Sequence, residues 1–144
     1  MRKKNFCILI ICVCCKLSFQ LYAENKIDSL LNQYGQAKDD TNKINILNTL
    51  CGEYWNISSY DSGLYYGNIA LQLSQQVNYK KGIAAAYNNL GIIYRNQGNY
   101  PKAQEYHFNA LKIREKIGDK QGIAASLNNI GLIYWNQKHL LKAL

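Results

Sequence analysis

The sequence predicts an all-α fold, a row of stacked antiparallel helix pairs, and three observations predict it. First, GIAAAYNNLGIIYRNQ at 82–97 returns as GIAASLNNIGLIYWNQ at 122–137, with eleven of sixteen positions identical at an offset of forty. A repeat of that length is a unit of architecture and not a catalytic motif. Second, the apolar spacing inside a unit is helical. Leu47, Leu50, Tyr54 and Ile57, like Ala103, Tyr106, Ala110, Ile113 and Ile117, are separated by steps of three and four, which marks an amphipathic helix with one buried stripe. Third, strand-type alternation persists nowhere beyond residue 23.

The elements follow in order. Arg2, Lys3 and Lys4 precede an unbroken apolar run from Phe6 to Cys15, and the segment closes on Leu21-Tyr22-Ala23. That is the layout of a secretory signal, residues 1–23, cleaved after Ala23. Ten apolar residues ending at Lys16 fall short of the roughly 20 that a spanning helix needs. The expected location is therefore outside the cytoplasm, in a periplasm or its equivalent. Four of the five cysteines fall in the signal and leave Cys51 alone, so the mature chain has no internal disulfide framework. The signal also removes four of seventeen basic residues and none of nine acidic ones, which lowers the net charge from +8 to +4. So mild a charge demands no nucleic-acid partner.

Residues 24–41 read as a helix near 27–38 and a linker. Unit 1 covers 42–81, with helices near 42–57 and 61–77. Unit 2 covers 82–121, with helices near 82–97 and 101–117. Unit 3 covers 122–144, with a helix near 122–137 and a second from 140 onward. Pro101 suits a first helical position, Asp61 suits a helix start, and Gly118-Asp119 ends one helix and caps the next. Small residues recur in columns: Cys51, Gly91 and Gly131; Gly63, Ala103 and Ala143; Ala70 and Ala110. They let helices approach closely, while Leu50, Leu90, Ile130, Tyr54, Tyr94 and Tyr134 fill the space between them. One pair buries too little to be stable alone, so neighbours must stack.

These residues resemble the tetratricopeptide repeat. Unit 2 carries its pattern as Tyr87, Leu90-Gly91, Tyr94, Gly98 with Tyr100, Ala103, Tyr106 and Ala110-Leu111, and the resemblance extends over about residues 27–144. The period is forty and not thirty-four, so either the helices are longer or the turns are extended. The usual closing proline is absent. A position that often holds an aromatic is Gly67 in unit 1 and His107 in unit 2, and unit 1 departs further with Cys51 and Gly63. The forty-residue form is similar to repeats of kinesin light chains and of secreted bacterial proteins, where such arrays often precede a membrane helix and a sensor kinase or regulator domain.

The resemblance implies a superhelix whose first helices line a concave groove. The expected groove positions are Asn48, Asn88 and Asn128; Asn89 and Asn129; Gly52, Ile92 and Leu132; Trp55, Arg95 and Trp135; and Asn56, Asn96 and Asn136. An asparagine amide offers donors and an acceptor, so a column of them suits the backbone of an extended peptide. The tryptophans would add apolar grip, and Arg95 would meet an acidic group. The same asparagines would equally serve as bridges between neighbouring repeats. The charged clamp that some family members use for a terminal carboxylate needs lysine in the Asn48/Asn88 column and asparagine in the Ile92 column. Neither is present, so recognition of a C-terminal carboxylate is not expected.

No catalytic, cofactor or metal constellation is apparent. His107 and His139 have no second ligand at metal spacing, Asp39-Asp40 sits between helices as a cap, and Cys51 occupies a small core position. Lys102, Lys112, Arg114 and Lys116, interrupted by Glu105 and Glu115, read as a solvated outer face. Unit 3 stops at Leu144, so Leu127, Ile130 and Tyr134 are expected to lack a cover, and the chain to be a fragment of a longer protein. The sequence thus predicts a non-catalytic module that binds a protein or peptide. The alternative is the extracytoplasmic sensory part of a membrane-bound histidine kinase or regulator, with any membrane tether in the missing C-terminal part.

Overall fold

The computed structural model describes the backbone of residues 20–143 and the side chains of residues 20–138. Residues 1–19 of the expected signal, and the side chains of His139, Leu140, Leu141, Lys142, Ala143 and Leu144, lie outside the described residues. Helix α1 occupies 20–36. It is followed by α2 (Asp40–Asn56), α3 (Tyr60–Gln76), α4 (Lys80–Asn96), α5 (Tyr100–Ile117) and α6 (Lys120–Ala143). Among the described residues there is no strand.

The forty-residue period resolves into two halves of twenty. Helices α2, α3 and α4 each have 17 residues, and each is followed by a three-residue turn, so the helices are long and the turns tight. The turns share one geometry. Ser58, Asn78, Gly98 and Gly118 stand twenty apart, all with positive φ between 55° and 76°. The next amide reaches back over the end of each helix: Ser59 to Tyr54 O at 2.8 Å, Tyr79 to Ser74 O at 2.8 Å, Asn99 to Tyr94 O at 2.9 Å and Asp119 to Arg114 O at 3.0 Å. These are left-handed helix ends that satisfy otherwise orphaned carbonyls. Asp39 and Asp119 cap helices where acidic residues were expected, and Asn99 caps a third. The side chain of Asp39 accepts from the Asn42 amide at 2.7 Å, that of Asn99 from Lys102 at 3.3 Å and that of Asp119 from Gly122 at 3.0 Å.

The third unit departs from expectation. A break near 138 and a new helix from 140 were predicted, yet α6 runs without interruption to Ala143. The residue in the turn position of Ser58 and Gly98 is here Lys138. A lysine enters the left-handed region only against a steric cost. Helix α1 also starts earlier than expected and passes through the predicted cleavage position.

Consecutive helices pack on one another from α2 to α6; in addition α2 touches α4 and α4 touches α6. Helices α3 and α5 make no such contact. The row is therefore tighter on the α2–α4–α6 side and curves around it, as stacked helix pairs do. One core cluster joins α1 to unit 1 through Ile27, Leu30, Ile46 and Leu50, with Leu31, Tyr34, Tyr54 and Tyr66 around it. The Nζ of Lys26 reaches Glu53 Oε1 at 2.7 Å beside it. A second cluster, Leu47, Ala70 and Ala86, joins units 1 and 2.

The Cys51 and Gly67 departures of unit 1 are explained by exchange across one contact. In unit 2 a Cβ on Gly91 would lie 2.9 Å from the His107 ring. In unit 1 the bulk is on the other helix, and a Cβ on Gly67 would lie 2.9 Å from Cys51 Sγ. Each pair thus places one glycine against one larger side chain, in opposite order. Burial raises the Cys51 thiol to about 12, which keeps it protonated and inert.

Candidate functional site

The inner face of α2, α4 and α6 carries the expected groove positions, but in three different settings. Asn48 is buried, and its Nδ2 donates to the Gly82 carbonyl at 3.3 Å. Asn89 donates to the Asn48 carbonyl at 2.9 Å. Asn88 Oδ1 accepts from Asn129 Nδ2 at 3.0 Å, and Asn129 Oδ1 accepts from Arg95 at 3.4 Å. These five side chains tie one unit to the next. A mid-helix asparagine costs helix propensity, and here bonds between units offset that cost.

Asn96, Asn128 and Trp135 are exposed, and Asn136 is half-buried. Two recesses lie along this face. One is lined by Gly52 and Trp55 of α2 with Asn89 and Ile92 of α4. It exists because Gly52 has open space where a Cβ would be, while the equivalent positions hold Ile92 and Leu132. The other is lined by Asn128, Gly131, Leu132 and Trp135 of α6. Leu132 and Trp135 are 39% and 59% exposed.

The outer-face expectation fails for Arg114. Lys112 and Lys116 are exposed and Lys102 lies 4.1 Å over the Tyr94 ring, but Arg114 is 9% exposed. Its guanidinium donates to the Gly122 carbonyl at 2.9 Å, to Ser126 Oγ at 2.7 Å and to Asn88 Oδ1 at 3.4 Å. Its Nε lies 3.9 Å from Asp119 Oδ2. Burial favours the neutral form and Asp119 opposes it, but an arginine stays charged regardless. The sequence did carry the signal. Ala103, His107, Ala110 and Arg114 continue one stripe at steps of four, three and four, and Arg114 falls where unit 1 has buried Ser74.

His107 is fully buried, and neither ring nitrogen has a hydrogen-bond partner. Burial lowers it to about 4, and the nearby charges of Arg95 and Arg114 act in the same direction. It is a neutral packing ring at physiological pH. Among the described residues no group of three or more metal-ligating side chains converges. Nor is any described helix long and apolar enough to cross a membrane. Ile130, expected to be uncovered, is 7% exposed, whereas Leu127 and Tyr134 are 53% and 54% exposed.

Stacked helix pairs with one shared turn geometry and a recessed inner face define a helical-repeat solenoid. That fold typically serves as an interaction scaffold and not as an enzyme. Residues 82–144 match the tetratricopeptide repeat family. No curated protein matches the sequence. Among solved structures, BtubC (BKLC) from P. vanneervenii is similar at a TM-score of 0.67 and 20% identity, over 79% of this chain and 50% of that one. The apo form of RapI is similar at a TM-score of 0.65 and 20% identity, over 82% of this chain and 42% of that one. At that identity the likeness concerns the fold, and the chain spans about half the length of either protein.

Proposed function

We propose that this chain is a non-catalytic module that binds an extended peptide or protein segment along the inner face of α2, α4 and α6. The observation that carries this reading is the recess lined by Asn128, Gly131, Leu132 and Trp135, where Leu132 and Trp135 are exposed. An apolar side chain of the ligand rests on Leu132 and Trp135. The amides of Asn96, Asn128 and Asn136 are free of interior bridging roles and bond the ligand backbone. Asn48, Asn88, Asn89, Asn129 and Arg95 hold the units in register behind it.

Selection from a random peptide library, followed by titration of the selected peptide, tests this. Asn96→Ala, Asn128→Ala and Trp135→Ala combined should weaken binding tenfold or more with an unchanged melting temperature. Unaltered affinity in that triple variant would remove the groove from the account.

We infer also that the protein is exported. Support comes from the charge and apolar pattern of residues 2–23. Cleavage after Ala23 would spare Ile27, Leu30, Leu31, Tyr34 and Lys26, the residues that dock α1. Fractionation of tagged protein with mass measurement of its N-terminus is the test, and an uncut cytosolic form is the contrary result.

A further inference from the structure

The two ends of the helix row differ. Because the helices alternate in direction, the turns at 57–59 and 97–99 stand at one end, and those at 37–39, 77–79 and 118–119 stand at the other. At the first end, α2 and α4 are followed by half-buried Ile57 and by polar Gln97. At the second end, the residues where α3 and α5 finish are Val77 and Ile117, which are 40% and 36% exposed. They stand forty apart, on neighbouring turns. Lys80, Lys81, Lys116 and Lys120 lie within four residues of one or the other, and all four are exposed. The ion pairs among the described residues belong to Lys26, Lys43 and Arg114, so these four ammonium groups have no carboxylate beside them. The acids on the same turns are exposed Glu115 and Asp119, which caps α6 and lies near Arg114.

Helix stability does not account for the lysines. Helices α2 and α3 carry Asp40 and Asp61 in their first turns, as the positive end of a helix dipole favours. Helix α4 opens on Lys80-Lys81 and α6 on Lys120, with no acidic residue in either first turn, so these cations stand at the end the dipole disfavours. We propose that this end of units 2 and 3 is a contact surface for an anionic lipid bilayer. Lysines near a membrane are drawn to acidic headgroups, and aliphatic side chains at the same level gain by entering the boundary beneath them. A nucleic acid or an acidic protein would answer the lysines alone, whereas exposed Val77 and Ile117 favour lipid. The intervening helices are of nearly equal length, 17 residues in α4 and 18 in α5, so the two turns reach a flat surface together. Unit 1 takes no part. Its turn has half-buried Ala37 in the place of Val77 and Ile117, and Asp39 and Asp40 beside Lys38 and Lys43. The proposal depends on neither the groove reading nor export.

The full chain is mixed with vesicles of phosphatidylcholine, alone or with about one third phosphatidylglycerol, in about 0.1 M salt. To separate this surface from the apolar run at residues 6–15, a polarity-sensitive fluorophore is attached at Val77→Cys, Ile117→Cys or Gln97→Cys, in a chain whose Cys7, Cys12, Cys14 and Cys15 are replaced by serine. A blue shift is expected at 77 and 117 on the anionic vesicles, with none at 97 and none on phosphatidylcholine alone. Lys80→Gln, Lys81→Gln, Lys116→Gln and Lys120→Gln combined should reduce that shift about tenfold or more at a fixed lipid concentration, with an unchanged melting temperature, since all four side chains are exposed. No shift at 77 and 117, an equal shift at 97, or equal shifts with and without the four lysines overturns the proposal. Capture on heparin that needs the four lysines, without any vesicle-induced shift, also overturns it, because the partner would then be an acidic macromolecule.

Discussion

The junction between units 1 and 2 and the junction between units 2 and 3 occupy equivalent positions in nearly repeated sequence, yet they are wired differently. At the first, the Gly82 carbonyl accepts from Asn48, Ser74 closes on its own helix by donating to the Ala70 carbonyl at 2.6 Å, and Ala86 is apolar and buried. At the second, the equivalents of Ser74 and Ala86 are Arg114 and Ser126. The arginine takes over the Gly122 carbonyl and draws in Ser126 and Asn88. Asn88 then accepts bonds, where its counterpart Asn48 donates one. A single small-to-arginine change thus reverses the role of an asparagine that both units share. Repeat identity sets where junction residues stand, while the bonds they make depend on their neighbours.

The largest expected effect tests that contrast directly. Arg114→Ala would leave the Gly122 carbonyl and Ser126 Oγ short of a donor in the interior, and Asn88 Oδ1 with Asn129 alone, and cost about 3 kcal/mol. Ser74→Ala, at the equivalent place, should cost less than about 1 kcal/mol, since only a bond within one helix is lost. Urea melts of the two variants measure both, and equal losses would dissolve the distinction between the junctions.

A pH series sharpens it. His107 is lowered to about 4 by burial beside Arg95 and Arg114, against an ordinary value near 6.5. The unfolded chain therefore binds a proton there that the folded chain refuses. Its contribution is fully present above pH 6.5 and is lost as pH falls from 6.5 towards 4. Wild type should lose up to about 3 kcal/mol more than His107→Leu between pH 7 and pH 4. At pH 7 that variant should melt near wild type, because neither ring nitrogen has a partner to lose. Parallel pH profiles would exclude a neutral buried ring.

Smaller effects separate the asparagines. Asn88→Ala removes the acceptor for Arg114 and Asn129 and should cost about 1–2 kcal/mol. Asn96→Ala, on an exposed amide, should stay within about 0.5 kcal/mol. Thermal melts of these two variants discriminate a bridging role from a surface one. Least of all, Cys51 should resist thiol reagents at pH 8 in the folded chain and react on unfolding, as its burial dictates. Labelling followed by mass measurement reports it.

The sequence by itself determined the helical class, the forty-residue spacing, the order of the pairs and most helix ends. These are local properties: apolar periodicity chooses helix, and Pro101, Asn99 and Gly118 punctuate it within a few residues. The candidate groove was legible only in part. The recurrence of asparagine was visible, but whether each amide faces a neighbouring unit or solvent depends on helix rotation, which residue spacing leaves free. Tertiary structure alone decided that Arg114 turns inward and that His107 and Gly91 mirror Cys51 and Gly67. In each case the outcome depends on bulk and charge contributed by a helix tens of residues away, and close packing admits only combinations that fit together.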